Sequence, residues 1–184
     1  MKPVAPDKKT LLPVMKQSYM FRHLSEPETL QVLEASSNFE FAKDEKIIRE
    51  HEPSDVLYLI SKGSVRVTVT EGDREVYICT LGEGDVFGEA ALFVNLKRTA
   101  NVVASDDGVQ VLSIGRKEFL QYLRAQPSAG IKVLFMVIYS LLRKLREANL
   151  ELAYERKGDA NQDDIDKMMA EFAADGKQGP ALPP

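Results

Sequence analysis

The stretch Val65-Arg66-Val67-Thr68-Val69-Thr70-Glu71-Gly72-Asp73, continuing to Leu81, decides the fold. Valines at 65, 67 and 69 alternate with Arg66, Thr68 and Thr70. Successive side chains of a strand point to opposite faces, so the pattern predicts a strand with one wet face. Glu71-Gly72-Asp73 is a hairpin turn candidate, and Val76 to Leu81 resumes the strand.

Working outward, the same texture continues on both sides. Phe39-Glu40-Phe41, Lys46-Ile47-Ile48 and Asp55 to Ile60 precede it, and Lys62-Gly63 breaks the chain. Gly82-Glu83-Gly84-Asp85 turns again. Ala100–Ala104 and Val109–Ile114 follow, joined through Asp106-Asp107-Gly108. About eight short strands at this spacing predict a β-sandwich or jelly roll, a double-stranded β-helix.

Helices flank this block, so the class is α+β. Residues 1–10, with Pro3, Pro6 and three lysines, are expected to form a loose arm. Leu11 to Met20 predicts a short helix with Pro13 in its first turn. Ser25-Glu26-Pro27-Glu28 reads as a capping box opening a second helix. After Gly115 the helical period returns. Arg116 to Arg124 predicts one helix, closed by Gln126-Pro127, and Ser128 opens another that runs to about Lys157. Along it Leu134, Ile138, Leu141, Leu145, Ala148 and Leu152 follow a heptad seam. Such a seam packs on its own barrel or forms a coiled coil between protomers, and its strict period favours a homodimer through residues 131–155. The expected organisation is therefore an arm (1–10), N-terminal helices and jelly roll (11–115), C-terminal helices (116–157) and a tail (158–184).

Charge separates the tail from the body. The 184 residues carry 28 acidic and 24 basic side chains, a net of −4. Residues 158–184 hold six acidic side chains and two basic ones, so residues 1–157 are neutral. A neutral body with an acidic tail is a poor match to a phosphate backbone, and no DNA partner is expected. One cysteine, Cys79, excludes a disulfide framework within the chain and a multi-cysteine metal site. His23 and His51 are too few for a three-histidine site and read as structural or exposed. The longest apolar run, Val133 to Leu142, is about half of what a bilayer needs. The N-terminus lacks a signal peptide's apolar stretch. The expectation is a cytoplasmic protein without a membrane partner. No nucleophile–base pair stands out, so an enzyme is not expected.

The chemistry sits in Phe87-Gly88-Glu89-Ala90-Ala91-Leu92-Phe93-Val94-Asn95-Leu96-Lys97-Arg98-Thr99-Ala100-Asn101-Val102. A glycine before a short apolar segment predicts a turn opening a brief helix, whose first amides can face an anion. Gly88 allows a ligand close to the main chain. Arg98 supplies a fork for two phosphate oxygens, with Glu89 of opposite charge beside it. Residue types alone also allow a plain surface ion pair.

The whole segment is more specific. It resembles the phosphate-binding cassette of the cyclic nucleotide-binding domain family, a phrase close to F-G-E-x-A-L, a variable stretch, then R-[AST]-A-x-V. That family includes bacterial cyclic AMP receptor transcription factors, kinase regulatory subunits and cyclic nucleotide-gated channels. LYLISKGSVRV and LGEGDVFGE resemble its barrel strands and turn.

The resemblance implies roles. Glu89 would accept from the ribose 2′-hydroxyl, and Arg98 would pair with the cyclic phosphate. Gly88 and Ala91 amides would contact sugar or phosphate, and Thr99 would add a hydroxyl. Cys79 and Leu81 would line the pocket wall. Asn149, in a helix phrase similar to that of the dimeric transcription factors, would read the adenine edge or else flank the seam. The expected ligand is cyclic AMP ahead of cyclic GMP, with no other cofactor or metal. A helix-turn-helix output is not expected in the residues after Lys157, so the chain reads as a free-standing sensor. In the tail, Ile165, Met168, Met169 and Phe172 share one helical face, and residues 161–173 are a candidate docking segment for a protein partner. A scaffold that no longer binds nucleotide is the alternative.

Overall fold

The structure is a computed structural model, and it describes residues 1–92, 97–146 and 149–150. The chain divides into two compact units, Met1–Ile138 and Tyr139–Pro184. The first holds the barrel and its helices.

Two antiparallel sheets make the barrel. Strands are β1 (Lys2–Pro3), β2 (Ser37–Phe41), β3 (Lys46–Ile48), β4 (Val56–Lys62), β5 (Val65–Glu71), β6 (Arg74–Leu81), β7 (Val86–Phe87), β8 (Asn101–Ala104) and β9 (Val109–Gly115). One sheet has the order β1-β2-β9-β4-β7, the other β3-β8-β5-β6. This is the expected jelly-roll architecture with helices around it. One core cluster lies among the barrel residues Phe41, Ile60, Val65, Phe87, Val102 and Val111. A second joins the helices to the outer face of the first sheet through Met15, Phe21, Leu33, Leu57, Leu112, Phe119 and Val133.

The helices are α1 (Lys8–Gln17), α2 (Glu26–Glu34), α3 (Arg116–Ala125) and α4 (127–146). The capping box forms as read. Ser25 N donates to Glu28 Oε2 at 2.6 Å, and Glu28 N donates to Ser25 Oγ at 3.4 Å. Two N-terminal expectations are corrected. Asp7 caps α1 by accepting from Lys9 N, so the helix starts at Lys8 and Pro13 lies inside it. The loose arm is instead paired: Lys2 and Pro3 face Glu40 and Phe39 in register, and Val4 N donates to Asn38 O. Main-chain pairing of this kind needs no side-chain pattern, which is why the sequence does not announce it.

The deciding strand also departs from its simple alternation. Val65 is buried, but the next buried side chain is Thr68, not Val67 or Val69. Val67 is half-buried and packs against the barrel core with Val65, so the apolar face of β5 is kept and Thr68 is buried besides. Val67 faces Cys79 while Thr68 faces Tyr77, so Ile78 is an extra residue and the β5–β6 pair bulges there. The extra residue re-aims the side chains of β6, while β5 keeps an unbroken register with β8.

On α4 the side chains that join the core are not those of the expected seam. Ala129, Val133 and Val137 belong to the core of the first unit. Ile131, Phe135 and Ile138 are exposed, as are Leu141, Leu142, Leu145 and Leu150. Of the expected seam, Leu134 is half-buried and Ala148 and Leu152 lie outside the described residues. So does the docking segment 161–173.

Candidate functional site

Strand β7 delivers Phe87, and the chain then turns at Gly88 with φ +77°. That left-handed conformation is open to glycine and strained for any other residue. A 3-10 helix, Glu89–Leu92, follows. It places the Glu89 carboxylate inward, and Glu89 and Arg98 are only 6% and 7% exposed. Two charged residues at that depth are uncommon unless something holds them.

Arg98 is held from all sides. Its main chain is cradled by residues 51–53. His51 N donates to Arg98 O at 2.8 Å, Arg98 N donates to Glu52 O at 3.0 Å, and Pro53 bridges to Lys97. Its guanidinium Nη1 donates to Gly88 O at 3.3 Å. Nη2 donates to Ser54 Oγ at 2.8 Å and to Val56 O at 2.5 Å. The Tyr58 ring, itself stacked on Phe87 at 5.1 Å, lies 6.0 Å from the guanidinium carbon. The guanidinium Nε is buried with no partner among the described residues. A buried N–H left unpaired costs free energy unless a ligand completes it.

Burial pushes the Arg98 guanidinium down from its ordinary value, and Tyr58, Asp55 and Glu89 pull it back up. The group remains a cation regardless. Burial also raises the Tyr58 hydroxyl, with Arg98 acting the other way.

The structure therefore brings Gly88, Glu89, Ala91 and Arg98 together on one turn and its return. Thr99 is exposed. Cys79 is half-buried at the bulge, and Leu81 packs against the barrel core. Asn149 is an exposed residue of the second unit. The sequence reading passed over Ser54, Val56 and Tyr58. Ser54 sits in a Pro-Ser-Asp turn, where serine is ordinary, and it meets Arg98 across 44 residues of chain. His51 keeps an exposed ring, yet its N–H anchors the arginine. Two open grooves, about 440 and 400 Å³, lie elsewhere beside α3, and neither is lined by Glu89 or Arg98.

Comparison with known proteins identifies this arrangement. Residues 38–126 match the family model described as "Cyclic nucleotide-binding domain". Those residues are a cyclic nucleotide-binding domain. The chain is 36% identical over 112 residues to a cGMP-dependent protein kinase of Drosophila melanogaster, covering 59% of this chain and 12% of the kinase. It is 31% identical over 139 residues to the cyclic AMP receptor protein of Thermus thermophilus, covering 75% of this chain and 62% of that protein. In structure it is similar to a cyclic nucleotide-binding domain from Methylobacillus flagellatus, with a TM-score of 0.67 and 25% identity, over 76% of this chain and 78% of that one. The chain thus spans about a tenth of the kinase relative. The match covers the barrel and α3, the elements that position Gly88, Glu89 and Arg98. Among the described residues no helix is long and apolar enough to cross a membrane.

Proposed function

We propose that this chain is a cyclic nucleotide sensor that binds cyclic AMP in preference to cyclic GMP and signals through a protein partner. The supporting observation is the buried Arg98, its Nε without a partner among the described residues, set against Gly88 and close to buried Glu89. A cyclic phosphate would complete the guanidinium with charge-assisted hydrogen bonds. Glu89 would accept from the ribose 2′-hydroxyl, which selects a ribose over a deoxyribose. Gly88 and Ala91 would contribute amides, and Thr99 a hydroxyl. Cys79 and Leu81 would border the pocket. The relatives include proteins named for each nucleotide, so the base preference rests on Asn149, whose amide can pair with the adenine edge.

The output would run through the helices. Gln126 breaks the chain between α3 and α4, and a Cβ added at Gly130 would lie 3.1 Å from Leu123 Cδ2. Residues 126–130 would serve as the hinge. The ligand shifts the equilibrium only by binding one helix arrangement more tightly. The exposed side chains Ile131, Phe135, Ile138, Leu142 and Leu145 repeat at spacings that suit a two-helix seam, which supports a homodimer through residues 131–155. Residues 161–173 would engage a protein partner. No catalytic role, DNA contact or membrane contact is proposed, and the location would be cytoplasmic.

Isothermal titration with cyclic AMP and cyclic GMP tests the reading. Cyclic AMP should bind more tightly, and Arg98→Ala should abolish most of that affinity. No heat with either nucleotide at hundreds of micromolar would leave the scaffold alternative.

A further inference from the structure

Ser54 stands outside the cassette, yet its hydroxyl holds the cassette's cation. The geometry of a guanidinium makes this consequential. Its two paired edges are Nε with Nη2, and Nη1 with Nη2. Any bidentate phosphate contact therefore needs one proton of Nη2. Nη2 carries two protons, and both are engaged, one by Ser54 Oγ and one by Val56 O. One of these acceptors has to yield before the phosphate can take the fork.

The two acceptors are not equal. Val56 O is main chain at the start of β4, where Val56 is registered against Gly115 of β9. Moving it means disturbing the central sheet. Ser54 precedes the strand, is half-buried, and presents its oxygen on a single side-chain rotor. A rotamer change releases it without moving the backbone. Gly88 O, the third acceptor, holds only Nη1 at 3.3 Å.

We propose that Ser54 is a latch: its hydroxyl occupies Arg98 in the empty site and gives way to a cyclic nucleotide phosphate, so that it sets the affinity threshold of the sensor. This rests on the nucleotide-binding reading above. A latch has a signature that a merely supportive residue lacks. Removing it weakens the empty protein and tightens the complex, because only the empty state uses the bond.

Titration calorimetry with cyclic AMP and thermal melting of the ligand-free full chain decide the matter. Ser54→Ala should bind cyclic AMP about threefold to tenfold more tightly, the order of one net hydrogen bond. Its ligand-free melting temperature should fall. Ser54→Asp should tighten the latch with a carboxylate, weakening cyclic AMP by tenfold or more while raising the ligand-free melting temperature. Unchanged or weaker binding by Ser54→Ala overturns the latch, as does unimpaired binding by Ser54→Asp. If the unmutated protein binds neither cyclic nucleotide, the sensor reading fails instead. The latch contact is then decided by melting alone. Ser54→Asp must stabilise the chain when Arg98 is present and not in an Arg98→Ala background, and equal effects in both would refute it.

Discussion

Replacing Gly88 by alanine probes the closest approach in the site. A Cβ at this position would lie 2.5 Å from Arg98 Nη1, 3.3 Å from Arg98 Cζ and 3.0 Å from Val56 O. It would also have to accept φ +77°. The left-handed conformation costs about 1–2 kcal/mol for a non-glycine residue. Forcing a methyl into a packed site adds about 1–3 kcal/mol. Together these predict a loss of about 2–5 kcal/mol for Gly88→Ala. Gly72 supplies the control. It has φ +60°, but a methyl there would meet nothing within 4 Å, so Gly72→Ala should lose only the conformational part. Urea denaturation followed by circular dichroism reads both. With a slope of about 2 kcal/mol per molar, Gly88→Ala should unfold at roughly 1 M less urea than Gly72→Ala. In an Arg98→Ala background the two clashes with the guanidinium vanish and only Val56 O remains, so the gap should narrow. Equal midpoints for the two glycine variants, or a gap unchanged by Arg98→Ala, would refute the packing of Arg98 against Gly88.

Further expectations concern the rest of the molecule. Thr68 is buried with no partner for its hydroxyl among the described residues, so Thr68→Val should raise the urea midpoint by the equivalent of about 1 kcal/mol; a fall would mean that the hydroxyl makes a hydrogen bond that valine removes. The Glu28 carboxyl is held below its ordinary value, chiefly by Ser25 N–H and then by Lys132. A lowered folded-state value adds stability that is present above the ordinary carboxylate range and lost as pH falls through the folded-state value. Urea midpoints should therefore drop from pH 7 to pH 3 less steeply in Glu28→Gln than in the unmutated chain, and parallel slopes would contradict this. Phe135 is 68% exposed, so Phe135→Ser should leave the melting temperature nearly unchanged while shifting a dimer to monomer in light scattering. An unmutated chain that is monomeric at every concentration would remove the seam from the account.

The Ser25–Glu28 box is legible in the sequence because a cap is local: both partners lie within one helical turn. The glycine turns at 63, 72, 84 and 108 are legible for the same reason, since each is a demand of a single residue's φ. Ile78 is not legible as an extra residue, because the β5–β6 bulge shows only once the two strands are set in register. Strand β1 leaves no sequence signal because Lys2 and Pro3 contribute only main chain to a neighbour nearly forty residues away.

The site divides in the same way. Residue type by itself determined that a turn at Gly88 opens a short helix bearing Glu89, whereas the partnership of Arg98 with it rested on the resemblance of the whole segment to the cassette. Only the tertiary structure decided what Arg98 does when it arrives. Ser54, Val56 and His51 reach it from more than forty residues away, and their side chains and main-chain groups acquire this role only through the packing of β4 beside β7. Hydrogen-bond satisfaction is a property of the folded surroundings, so the two spent protons of Nη2, and an Nε without a partner among the described residues, could not be read from any stretch of the chain.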